Sequence, residues 1–186
     1  MIGVLVSGSG TNLQALIDAE LPIVAVASNR PGVRALERAA AAGIETAVFP
    51  LDGYPDRPAR DAAMAGWLAA HGVELVVCAG YMHLLTPAFL DRFPGAVVNV
   101  HPSLLPAFPG TRAIEQALEA GVDRTGVTVH LVDEGVDSGL VLAQEEVPVL
   151  PGDTPERLRE RLHGVEHRVL PAVVRVLADR RLGLTA

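Results

Sequence analysis

Short apolar runs, each closed by a glycine or polar turn and followed by residues at helical spacing, set the rhythm of the first hundred positions. Ile2 to Val6 stops at Ser7-Gly8-Ser9-Gly10-Thr11-Asn12, and Leu13-Gln14-Ala15-Leu16-Ile17 then repeats at helical spacing. This pattern predicts a strand, a tight turn and a helix start. Ile23 to Ala27, Thr46 to Phe49, Glu74 to Ala79 and the run beginning at Ala96 predict four more strands. Between them, Pro31 to Ala42 has proline near its start and Gly43 after its end, as capping asymmetry expects of a helix. A second helix is expected from about Asp61 to His71, and a short one from Pro87 to about Arg92 with Thr86 as its cap. Asp52 to Arg60 carries chain breakers and two arginines and reads as a surface loop, with Arg57 and Arg60 solvated by default.

After residue 120 the period changes. Gly126-Val127-Thr128-Val129-His130-Leu131-Val132 alternates strictly, which puts Val127, Val129 and Leu131 on one strand face and Thr128 and His130 on the other. Asp133 to Gly139 interrupts with carboxylates and glycines before a last strand, Leu140 to Val147. A helix from about Ala113 to Ala120 precedes this pair of strands. A long helix capped by Thr154 follows it to about Ala178, with Glu166 and His167 in its middle. Strands alternating with helices indicate an α/β domain, and no repeat or interdomain linker breaks it.

The stretch Asn99-Val100-His101-Pro102-Ser103-Leu104-Leu105-Pro106 concentrates the chemistry. Asn99 and His101 stand two residues apart on a predicted strand and therefore share a face. Pro102 cannot donate to a sheet ladder, so pairing should fail there. A carboxamide and an imidazole then project from a strand end, where open α/β sheets place their ligands.

Composition narrows the partners. At 186 residues, 49% hydrophobic and 4% aromatic, the chain has the length of about one domain with an Ala, Val and Leu core. Its net charge of −7 argues against nucleic acid as the main partner. No run reaches the length of a membrane span and no basic signal segment opens the chain, so a cytoplasmic protein is expected. Cys78, the single cysteine, lies within an apolar run and reads as an inert core thiol. All 15 basic residues are arginine, which removes Schiff-base catalysis and a Walker A lysine together. The histidines are scattered without a metal-ligand spacing, and no metal is expected. Neither Gly8-Ser9-Gly10 nor Ser138-Gly139 has the form of a nucleophile elbow.

Two further features leave alternatives open. The turn Ser7 to Asn12 is suited to a phosphate at a helix N-terminus, or is simply an N-cap turn with nothing bound. A dinucleotide site is disfavoured, because the third fingerprint glycine is missing and the second strand ends in Ser28-Asn29-Arg30 rather than an acidic ribose ligand. Asn99, His101 and Asp137, if neighbouring strands bring them together, would suit acyl transfer to an amine. A fixed amide N–H or an imidazolium stabilises an acyl oxyanion, and an imidazole backed by a carboxylate moves protons. Taken singly, each of these residues has an ordinary structural role as its first explanation.

Asn99 to Pro106, followed by Gly126-Val127-Thr128-Val129-His130-Leu131-Val132-Asp133-Glu134-Gly135-Val136-Asp137-Ser138-Gly139, resembles the signature of the folate-dependent formyltransferases, and Ser7 to Gln14 extends the likeness. The resemblance implies a single Rossmann-like domain over 1–186: a mostly parallel twisted sheet, helices on both faces and antiparallel strands in the C-terminal part. It assigns substrate phosphate to the N-terminal half, and folate binding and catalysis to the C-terminal half. It implies transfer of the formyl group of 10-formyltetrahydrofolate, as co-substrate, to the amine of glycinamide ribonucleotide in purine biosynthesis, without ATP or metal, by a monomer or homodimer.

Carried over by residue, Asn99 and His101 would stabilise the oxyanion, with His101 as general acid and Asp137 relaying protons. Gly10, Thr11 and Asn12 would hold the substrate phosphate, and Glu166 would contact its ribose or glycinamide part. Arg57, Met82, His83, Leu84, Leu85, Asn99 and the loop Asp133, Glu134, Gly135, Val136 and Asp137 would form the folate pocket. The chain departs from the family pattern at His83, where arginine is common, and at Ile114, where histidine is frequent. A methionyl-tRNA formyltransferase would be expected to carry a basic RNA-binding extension, and a formyltetrahydrofolate hydrolase an extra N-terminal domain. A phosphate-ligand binding module would explain Ser7 to Asn12 and leave Asn99, His101 and Asp137 idle.

Overall fold

The computed structural model describes residues 1–181. Seven strands form one sheet in the order β3-β2-β1-β4-β5-β6-β7. The strands are β1 (Ile2–Val6), β2 (Ile23–Ser28), β3 (Glu45–Val48), β4 (Leu75–Cys78), β5 (Val97–His101), β6 (Arg124–Leu131) and β7 (Val141–Pro148). The first five are mutually parallel; β6 pairs antiparallel with β5, and β7 antiparallel with β6. The helices are α1 (Thr11–Asp18), α2 (Arg34–Ala41), α3 (Arg57–Ala70), α4 (Pro87–Leu90), α5 (Ala113–Glu119) and α6 (Pro155–Arg181). The mostly parallel sheet with antiparallel C-terminal strands agrees with the expected α/β class. No helix among the described residues is long and apolar enough to cross a membrane.

Side-chain alternation in the central strands divides the core into two layers. Val4, Val6, Val77, Val98, Val100, Val127 and Val129 join Leu13, Leu16 and the buried stripe Leu158, Leu162, Leu170 and Val174 of α6. Leu5, Ala25, Ala27, Val76, Cys78 and Val97 pack on the other face against Met64, Leu68, Phe89 and Phe93. Each buried Leu or Phe contributes roughly 1.5–3 kcal/mol of transfer free energy. Asn99 and His101 continue the face of Val97 beyond the apolar cover of α3 and α4, which opens space for a ligand.

Several boundaries differ from the pattern reading. Helix α2 begins at Arg34, because Pro31 and Gly32 form a turn, with Gly32 at φ 65°. Helix α3 begins at Arg57 rather than near Asp61. Asp56 caps it by accepting from the Ala59 N–H at 2.8 Å. Pro58 sits in the first turn, where its missing N–H costs nothing. Arg60 is therefore helical and fully buried, not a solvated loop residue. Thr86 precedes α4, but its hydroxyl donates to Asp61 instead of capping. Helix α4 ends at Leu90, and α6 runs past Ala178 to Arg181.

Candidate active site

Strand alternation and sheet register assemble the centre of the site. Asn99 and His101 share one face of β5, and the antiparallel ladder sets His130 directly opposite Asn99 and Thr128 opposite His101. The hairpin connection between β6 and β7 folds over that face and brings in Asp137. Its carboxylate straddles the three polar residues. Oδ2 lies 3.4 Å from His101 Nδ1 and accepts from the Gly110 N–H at 2.8 Å. Oδ1 lies 3.5 Å from both His130 Nε2 and Asn99 Nδ2.

The hydrogen bonds fix how these groups point. His101 Nε2 lies 2.8 Å from the Phe108 carbonyl, so it carries a proton. With Nδ1 facing the Asp137 carboxylate, only the doubly protonated ring donates in both directions. His130 Nδ1 donates to the Leu131 carbonyl at 2.8 Å, and Nε2 faces Asn99 Nδ2 at 3.2 Å and Asp137 Oδ1 at 3.5 Å, accepting from the amide in the neutral ring and donating to the carboxylate in the charged one. Burial raises the Asp137 pKa, but the hydrogen bond with His130, the Gly110 N–H and the charges of His101 and His130 outweigh it. The carboxyl is held below the ordinary aspartate value.

The segment after β5 is braced to hold this arrangement. Ser103 Oγ donates to the Ala107 carbonyl at 2.5 Å, and Thr128 Oγ1 donates to the Ser103 carbonyl at 2.6 Å. Gln144 Nε2 donates to the Leu105 carbonyl at 2.8 Å. Phe108, whose carbonyl orients His101, and Asp137 itself both have positive φ, 53° and 51°. Backbone held in this sparsely populated region by surrounding contacts is characteristic of functional sites.

Two clefts meet here. One, of about 420 Å³, is walled by Met82, His83, Leu84 and Leu85 on one side and by Asp133, Gly135, Val136 and Asp137 on the other, with Asn99, His101 and His130 at its floor. Arg57 and Glu134 stand outside its lining; Arg57 is exposed at the first position of α3. The second, of about 220 Å³, is lined by Asn12, Ile114, Glu115, Arg159, His163 and Glu166 among others. Gly80, Met82, Val100, Pro102 and Thr111 line both. Each cleft draws residues from both halves of the chain.

The phosphate candidates separate. Gly10 is the N-cap residue of α1 at φ 72°, and a Cβ there would lie 2.6 Å from that of Ala35, so both backbone and packing require glycine. Asn12 is buried and donates through Nδ2 to Glu166 Oε2 at 2.8 Å, while its Oδ1 is buried without a partner. Thr11 opens instead toward a neighbouring depression with Gln14, Arg38 and His167. Among the described residues no cluster of three or more His, Cys, Asp or Glu side chains has a metal-binding arrangement.

Pattern reading placed Asn99 and His101 together but gave no role to His130, Gly110 or the Phe108 carbonyl. For His130 there was one signal: it occupies the polar face of β6 in a strand otherwise built for burial.

Fold and site agree with the formyl transferase family, to which the chain belongs: the family matches residues 1–174. Among curated relatives, the phosphoribosylglycinamide formyltransferase of Mycobacterium tuberculosis is 48% identical over 180 residues, covering 94% of this chain and 83% of that protein. The trifunctional purine biosynthetic protein adenosine-3 of Chironomus tentans is 46% identical over 186 residues, 96% of this chain. The chain spans 14% of the length of that larger protein. The crystal structure of glycinamide ribonucleotide transformylase 1 from Symbiobacterium toebii superposes with a TM-score of 0.94 at 49% identity, covering 97% of this chain and 88% of that one.

Proposed function

We propose that this chain transfers the formyl group of 10-formyltetrahydrofolate to the amine of glycinamide ribonucleotide, giving the formylated nucleotide and tetrahydrofolate. The observation that carries the reading is the junction of two clefts at β5, where Val100 and Pro102, on either side of His101, line both. A reaction between two separately bound small molecules needs its proton-handling groups at such a seam. The names and identities of the relatives support the same substrates.

On this reading the Met82–Leu85 and Asp133–Asp137 cleft takes the folate, and the Asn12 and Glu166 cleft takes the nucleotide, whose phosphate would have to reach past Asn12 to meet Gly10 and Thr11, which lie outside that cleft's lining. The amine nitrogen bonds to the formyl carbon, whose oxygen gains negative charge. An Asn99 N–H and the protonated His101 ring stabilise that charge. The C–N10 bond then breaks, and the proton lost by the amine reaches N10 with His101 as acid and Asp137 as relay. The half-buried Asp137, kept ionised, stabilises the imidazolium and holds its orientation. The chemistry calls for neither ATP nor a metal. The chain works in the cytoplasm on this reading, as a monomer or homodimer, on small molecules rather than nucleic acid.

The test is to mix purified protein with 10-formyltetrahydrofolate and glycinamide ribonucleotide, without ATP and with a chelator, and to follow tetrahydrofolate. Turnover that requires both substrates is expected. Equal turnover without the amine would make the protein a hydrolase, and no turnover in either case would overturn the reading.

A further inference from the structure

Behind the folate-side wall runs a buried polar chain that the reaction itself does not use. Arg60, fully buried in α3, is neutralised by Asp61: Nε donates to Oδ1 at 2.8 Å and Nη2 lies 2.7 Å from the same oxygen. Asp61 Oδ2 accepts from the backbone N–H of Thr86 at 2.8 Å and from its hydroxyl at 2.9 Å. Arg60 Nη1 points the other way, 3.0 Å from His83 Nδ1. The far ring nitrogen, Nε2, is 3.2 Å from the carboxamide of Asn29, at the end of β2. Oδ1 of that carboxamide accepts from the Ser7 hydroxyl at 2.6 Å, and Ser7 Oγ accepts from the Met82 N–H at 3.0 Å.

Donor and acceptor logic leaves His83 one state. Arginine can only donate, so Nδ1 must accept and Nε2 must carry the single ring proton. Asn29 lies with Nδ2 toward Nε2 and with Oδ1 accepting from the Ser7 hydroxyl; a half-turn of its carboxamide presents the carbonyl to Nε2–H and the NH2 to Ser7 Oγ. Protonation of His83 would aim an Nδ1–H at the Arg60 guanidinium and break the chain at its middle.

We propose that His83 is a positioning residue: unprotonated and held by Arg60, it locks the Met82–Leu85 wall of the folate cleft to α3, to the end of β2 and to Ser7, and its protonation releases that wall. The part concerning folate rests on the proposed function; the lock does not. The charged and titratable groups around the ring are Arg60, Arg57 and Asp61 from α3 and Arg30 from the turn after β2, with Tyr81 edge-on at 6.0 Å. Burial, then Arg60, Arg57 and Arg30, hold the His83 pKa below the ordinary histidine value against the opposing charge of Asp61. The lock is therefore closed at neutral pH and opens on acidification.

His83→Ala and His83→Gln test it, because glutamine offers an acceptor to Arg60 and a donor to Asn29 but does not titrate in this range. Hydrogen exchange of the unliganded protein at pH 7.5 reads the lock directly. The Met82 amide is expected to exchange at least about tenfold faster in His83→Ala, with glutamine restoring protection and Val77 in β4 unchanged. The KM for 10-formyltetrahydrofolate is expected to rise about tenfold in His83→Ala with kcat near wild type. Between pH 7.5 and 5.5 the wild-type KM should climb relative to that of His83→Gln. Wild-type exchange and KM in His83→Ala, or the same pH dependence in wild type and His83→Gln, would overturn the proposal. If His83→Ala fails to fold, the comparison of wild type with His83→Gln still decides. Faster Met82 exchange in a protein without formyl transfer would leave the lock standing and remove the function.

Discussion

Asp137 Oδ2 faces His101 Nδ1 at 3.4 Å while the Gly110 N–H holds the same oxygen at 2.8 Å, so the carboxylate that orients the imidazole is itself fixed by backbone. Asp137→Asn keeps the shape and tolerates the φ of 51° that the site imposes, since asparagine is comparatively common there. It removes the charge opposite His101. Steady-state kinetics should show kcat lower by about 10²–10⁴-fold, with the KM for glycinamide ribonucleotide little changed. Wild-type kcat in this variant would sink the assigned role.

Acid stability should report the same carboxyl. Because its pKa is lower in the folded protein than the ordinary 3.8, its contribution is fully present above that value and is lost as pH falls through the folded value. Thermal melting between pH 6 and pH 2.5 should therefore fall more steeply for wild type than for Asp137→Asn. Parallel curves would show that the carboxyl is not held in its charged form by folding.

His130 Nε2 stands beside two groups, Asn99 Nδ2 at 3.2 Å and Asp137 Oδ1 at 3.5 Å. His130→Ala leaves a carboxamide and a carboxylate without a shared neighbour, and kcat should drop about ten- to a hundredfold with both KM values near wild type. His130→Gln, which can still accept from Asn99, should recover part of the loss. A change confined to KM would mean that His130 shapes the cleft rather than holding Asn99.

Glu166 and Asn12 lie 154 positions apart in sequence and meet across 2.8 Å between α6 and the first turn of α1. Glu166→Gln can still accept from Asn12 through its carbonyl but loses the negative charge facing the second cleft. Isothermal titration with glycinamide ribonucleotide should show binding weaker by about 1.5–3 kcal/mol, the range for a charge-assisted hydrogen bond, with 10-formyltetrahydrofolate binding unchanged. Equal weakening of both ligands would place Glu166 in a structural role.

The extent to which the site was legible follows from the range of each interaction. Asn99 and His101 share a face because strand side chains alternate, and that needs only local sequence. The contact of either with Asp137 depends on β5 pairing with β6 and on the path of the loop that follows, which no local period encodes. His130 was legible as a polar position but not as the partner of Asn99, because the ladder that sets them opposite is a matter of register. Arg60 was misplaced because Tyr54-Pro55 and Pro58 hid the helix start. A signal was present: Arg60 precedes Met64 by four residues, and Asp61 precedes Ala65 and Leu68 at the same helical spacing, on the face that is buried.

The connection carrying Asp137 spans the ends of a hairpin, with the Val132 N–H donating to the Val97 carbonyl and the Leu131 N–H to that of Leu140. Gly139 lets the two ends approach, since a Cβ there would overlap the Leu131 carbonyl. Both feet of this roof thus stand on one pair of strands, whereas Asn99 and His101 belong to the floor. Asp133 braces this roof by accepting from the Gly135 N–H at 3.0 Å and the Ser138 hydroxyl at 2.8 Å, and a Cβ on Gly135 would meet that hydroxyl, so Glu134 and Val136, both exposed, are the positions whose change alters the outer wall while the floor stays where the sheet puts it. Asp137, on the same roof and 3.4 Å from His101, ties that adjustable wall to the fixed floor.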